Sequence, residues 1–68
     1  MIKNDQELQV TLERIQFFQR HVAQLRNAEK NAANFRLSAG GFLAEIDRMN
    51  LEVREYLSLL PEELLLAS

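Results

Sequence analysis

Residues 34–46 read "NFRLSAGGFLAEI" and hold both glycines of the chain, side by side at Gly40 and Gly41. The fold depends on whether that pair bends one long helix, separates two, or cradles a ligand. Upstream of it, apolar residues recur at helical spacing. Leu8, Ile15 and Val22 fall seven apart, as do Phe18, Leu25 and Ala32, with Leu12 and Ala33 widening the stripe. Asn4 or Asp5 suits the capping position, and Asp5 and Glu7 place negative charge where the helix dipole favours it. The spacing predicts a first helix over 5–33.

Downstream, Phe42, Ile46, Met49, Val53, Tyr56 and Leu60 alternate spacings of four and three, flanked by Leu43 and Leu57. This is the stripe of a second amphipathic helix over 40–60. Pro61 stops it, because the residue before a proline avoids the α region. "PEELLL" then predicts a short helical turn over 61–66, with Pro61 at a first helical position and Glu62 and Glu63 at its positive end.

Phase alone does not separate the two stripes, since Ile46 falls on the register set by Phe18. Two glycines, each costing about 1 kcal/mol in a helix interior, and the polar Glu29 and Arg36 argue against one unbroken helix. Ser38 is a fair N-cap, which would leave the glycines in a permissive first turn. The expected fold is therefore all-α. It is a single domain over 1–68, an antiparallel helical hairpin turning over 34–39, with a core of Leu8, Ile15, Phe18, Val22, Leu25, Ile46, Met49, Val53 and Tyr56. The glycines are not a phosphate cradle, because the preceding strand and the G-x-x-x-x-G-K spacing are both missing.

A hairpin buries one seam per helix, and this chain has apolar residues to spare. Val10, Phe17, His21 and Ala28 form a second column on the first helix, and Leu51 and Leu59 lie off the main stripe of the second. Phe17 and Phe18 point about 100° apart and cannot share one narrow seam. Without cysteine, no disulfide or thiolate metal site can stabilise so short a chain. Two hairpins packed as a four-helix bundle are the expected remedy, with Val10, Phe17, His21, Ala28, Leu51 and Leu59 as candidate interface residues.

Charge divides along the chain. Residues 1–37 carry six basic side chains against four acidic ones, and residues 38–68 carry two against six. The formal net charge of −2 gives no general attraction to nucleic acid or anionic lipid. Arg14, Arg20, Arg26 and Lys30 scatter around the first helix rather than lining a groove-reading face. His21 is the sole histidine, and no nucleophile triad, Gly-rich loop or H-E-x-x-H motif occurs, so neither an enzyme nor a cofactor is expected. The longest apolar run is four residues, 64–67, far below the roughly 20 of a membrane span. The polar start "MIKNDQELQV" lacks the apolar stretch of a secretory signal, so a cytoplasmic location is expected.

The opening "MIKNDQELQVTLERIQFFQRHV" resembles the first helix of short helical bacterial proteins found in toxin–antitoxin neighbourhoods. "GFLAEIDRMNLEVREYL" is similar to the second helix of their stand-alone members. The resemblance spans residues 1–57 and implies a small partner protein that dimerises and restrains or regulates another protein. The chain departs from the antitoxin form in having no helix-turn-helix domain after the helices, which speaks against operator binding. Two functions are thus in contention. One is a protein–protein interaction module acting as a homodimer or higher homo-oligomer with a heterologous protein partner. The alternative is a small nucleic-acid-binding regulator whose basic residues are gathered by oligomerisation.

Overall fold

The structure, a computed structural model, describes residues 1–67; the side chains of residues 66 and 67 lie outside that description. Three helices follow in order: α1 (Asp5–Ala28), α2 (Ala32–Leu57) and α3 (Pro61–Ala67). The first two pack against each other as an antiparallel hairpin, with Asp5 meeting Tyr56 and Phe18 meeting Phe42.

Local chemistry sets the start of α1. The Asn4 side chain accepts the Glu7 N–H at 2.8 Å, and the Glu7 carboxylate accepts the Lys3 N–H at 2.9 Å. Two backbone donors at the helix entry are satisfied this way, in the manner of a capping box.

The turn departs from the sequence expectation. It occupies residues 29–31, not 34–39, so α1 ends five residues earlier than expected and α2 begins at Ala32. Asn31, not Ser38, is the N-cap, its side chain accepting the Asn34 N–H at 3.0 Å. Glu29 turns to extended geometry while its N–H still donates to the Leu25 carbonyl, and its carboxylate accepts the Asn31 N–H at 3.0 Å. Moving the turn brings Phe35 and Ala39 into register with Phe42, Ile46 and Met49. Ala39 is completely buried there and Phe35 half-buried. Their burial and the added helical hydrogen bonds offset two interior glycines at about 1 kcal/mol each. Gly40 and Gly41 therefore lie inside α2, neither with positive φ. Serving neither as turn nor as cap, they interrupt nothing.

The core is the seam between the helices. Ile15, Ile46 and Met49 are buried, with Phe18, Val22 and Val53 packed around them. Leu8, Leu25 and Tyr56 are half-buried on the same stripe. Ile2 joins this core at 4% exposure, a residue that periodicity could not reach because it precedes α1. The expected turn after Pro61 is present as α3, which makes no helix-to-helix packing with α1 or α2 among the described residues. The result is long and thin: the Cα radius of gyration is 15.3 Å, against about 11 Å for a compact chain of this length.

Candidate interaction surfaces

The two broad sides of the hairpin differ. On one, the segment before α1 lies across the open end. Ile2 is enclosed near Val10, Thr11 and Glu52 on one flank and Tyr56 and Leu59 on the other. The N-terminal amine lies 3.7 Å from Glu52. Arg48 bridges Glu52 at 3.1 Å and Glu45 at 2.7 Å, one turn along α2 in either direction. The hydrogen bond from Arg48, reinforced by its charge, holds the Glu45 carboxyl below its usual pKa.

Nearer the turn, the same side carries a cluster of rings. His21 packs on Phe42 at 4.7 Å and on Phe17 at 6.3 Å, and Phe18 meets Phe42 edge-on at 5.6 Å. The Arg14 guanidinium lies 6.0 Å above the Phe18 ring. Phe17 remains 58% exposed at the rim of this cluster.

The opposite side has no such cover. At about 100° per residue, Gln9, Leu12, Gln16, Gln19 and Ala23 project from α1 along one lane, uncharged between Asp5 and Arg26 at its two ends. Arg36, Gly40, Leu43, Asp47, Asn50 and Arg54 of α2 form the lane beside it, so three charged side chains share the lane of Leu43. Leu12 and Leu43 are 42% and 44% exposed, half sunk against the seam and half in solvent. No ion pair ties Arg36 or Asp47 among the described residues. On the outward ridge of α2, Ala33, Leu37, Ala44 and Leu51 follow one another, Leu37 being 81% exposed.

At the open end, a groove of about 650 Å³ runs between the start of α1 and α3, lined by Met1, Lys3, Asn4, Asp5, Tyr56, Pro61, Leu64 and Leu65. In its wall the Tyr56 hydroxyl donates to Asp5 at 2.6 Å. That bond, which only the protonated phenol can donate, pushes the Tyr56 pKa upward.

Val10, Phe17 and His21 lie together on the side of the N-terminal segment, and Ala28 continues their column at the end of α1. Leu59 is half-buried beside Ile2 on that same side. Leu51 points away from all of them, so the structure does not unite the candidate interface residues into one patch. In the sequence reading Leu12 and Leu43 only widen the core stripes, and the structure leaves both substantially exposed. Among the described residues, no group of three or more metal-ligating side chains converges. No described helix is long and apolar enough to cross a membrane. No family model, curated protein or solved structure matches the chain.

Proposed function

We propose that this chain is a protein-interaction module that works by pairing with a second copy of itself and holding a partner protein. One observation carries the reading. The chain exposes 5514 Å², whereas a compact monomer of 7.9 kDa exposes about 4400 Å², an excess of about 1100 Å². A standard protein interface takes about 800 Å² from each partner, so the surplus is of the size that one interface removes.

Val10, Leu12, Phe17, Leu37, Leu43 and Leu51 are among the large apolar side chains left exposed, spread over both broad sides and the outward ridge of α2. With two long helices and a single seam, the hairpin lacks the second layer on which domains are normally built, and another hairpin supplies it. The ring cluster at Phe17 and His21, on the other side, is then free for a different protein.

Sedimentation equilibrium over a wide range of chain concentration tests this. The expected result is a reversible species of twice the 7.9 kDa chain mass, with helicity and melting temperature rising with concentration. A cooperatively melting particle of one chain's mass at every concentration would overturn the reading.

A further inference from the structure

Resting on that reading, we infer that the second copy packs on the side bearing Leu12 and Leu43, turned end for end about a two-fold axis that crosses the hairpin near Leu43. Three observations select this surface and this occupant.

First, it is the side left open. The opposite one is closed at its end by Ile2 and along α2 by the Arg48 pairs to Glu45 and Glu52. A hairpin docking there would have to strip water from that charged network, a desolvation penalty that the existing pairs offset only in part. Between Asp5 and Arg26 the α1 lane Gln9, Leu12, Gln16, Gln19 and Ala23 presents no charge, and the charges on the α2 lane, Arg36, Asp47 and Arg54, include the opposite pair Arg36 and Asp47.

Second, the open side complements itself. The contact of Phe18 with Phe42 sets the level of the two helices, placing the middle of the α1 lane beside Leu43. Reversing a second copy about that point lays Leu12 over the other chain's Ala23 and Gln16 beside its Gln19, while Leu43 meets its own counterpart. A large side chain faces a small one at the ends, and amides that both donate and accept face each other between. Along the α2 lane, Arg36 comes within reach of the second copy's Asp47. These two opposite charges have no ion pair within the chain among the described residues.

Third, the arrangement builds a familiar object. α1 lies antiparallel on α1 of the second copy and α2 on α2, so every neighbour in the resulting four-helix bundle is antiparallel. The contact is isologous and closes at two copies.

Because the chain has no cysteine, crosslinking tests this without disturbing the fold. Leu43→Cys and Phe17→Cys, both at substantially exposed positions, are each oxidised in a glutathione buffer at concentrations where the wild type is dimeric. Leu43→Cys is expected to form a covalent dimer nearly completely, since the two-fold axis brings its sulfurs together. Phe17→Cys, on the far side, is expected to stay monomeric on a denaturing gel. Leu43→Glu is expected to weaken association by at least about 100-fold while leaving the helical spectrum unchanged, because like charges meet at the axis. A wild-type dimer in which Leu43→Cys fails to crosslink, or Phe17→Cys crosslinks as readily, overturns the inference and leaves self-association standing. A wild type that is monomeric at every concentration overturns both.

Discussion

Replacing Gly41 by alanine is expected to stabilise the protein, an unusual direction for a substitution at an interior helical position. Gly41 lies mid-way along α2 without positive φ, and a Cβ built on it meets nothing within 4 Å. Alanine therefore gains helix propensity and restricts the unfolded chain with no steric penalty, about 1 kcal/mol in all. For a domain of this size that corresponds to a rise in melting temperature of roughly 4–8 °C. Gly41 also lies about 160° round the helix from Leu43, so association through the Leu12–Leu43 side is not perturbed. Far-UV circular dichroism during urea and thermal unfolding reads the effect, with chain concentration held fixed because association shifts the transition. The urea midpoint should rise at constant slope. Gly41→Ala that leaves stability unchanged would mean that residue 41 is not in a helix interior. A loss of stability would mean that the space around it is filled.

The position of the turn has its own test: Asn31→Ala should cost about 1 kcal/mol by removing the cap on the Asn34 N–H, while Ser38→Ala, inside α2, should be neutral or slightly stabilising. A reversal of the two results in urea unfolding would return the turn to residues 34–39. Met49→Ala empties the centre of the seam, where Met49 is 2% exposed, and is expected to cost about 2–5 kcal/mol, enough to abolish the cooperative melt of so small a core. The sole tyrosine can be followed by ultraviolet titration. Since its hydroxyl donates to Asp5, Tyr56 should ionise above pH 10 in the folded protein and return to about 10 in urea. With the folded pKa raised, this contribution to stability is complete below about pH 10 and disappears as pH rises through the folded value, so Tyr56→Phe should lower stability at neutral pH and flatten the alkaline limb of the stability profile. Identical folded and urea titrations would show that the hydrogen bond is not made.

The seam was legible because its cause is periodic. Ile15, Phe18, Val22, Ile46, Met49 and Val53 repeat every three to four residues, and any helix that forms over them must present them on one side. The turn was misread because glycine pairs usually punctuate helices, and a penalty of about 1 kcal/mol each seemed decisive. What the sequence could not weigh against it was the burial of Phe35 and Ala39, which exists only once α2 is long enough to carry them to α1. The Asn31 cap was visible in principle: asparagine is as good an N-cap as serine, and Glu29 stands two residues earlier to hold its N–H. Ile2 was not visible at all. A lone apolar residue in a polar stretch has no period, and its burial depends on the chain entering α1 from the side of Glu52.

If copies pair as proposed, that entry direction has a consequence for assembly. A bare two-helix hairpin is apolar along its seam and nearly equivalent on its two broad sides, so nothing in its periodicity limits how many copies stack. Here the residues before α1 break the equivalence. Ile2 fills the open end of one side, the terminal amine adds its charge to Glu52, and Arg48 ties Glu52 to Glu45 across two helical turns. Each exposed pair alone contributes at most about 1 kcal/mol to stability. Their larger effect is to raise the cost of covering that side, because docking there strips water from all of them together. On the proposed pairing, a hairpin with one side closed and the other self-complementary in charge meets its copy as a finite pair instead of an open stack. On that proposal, the few residues outside the helical repeat choose the side on which copies meet, and the long repeats supply only the apolar surface.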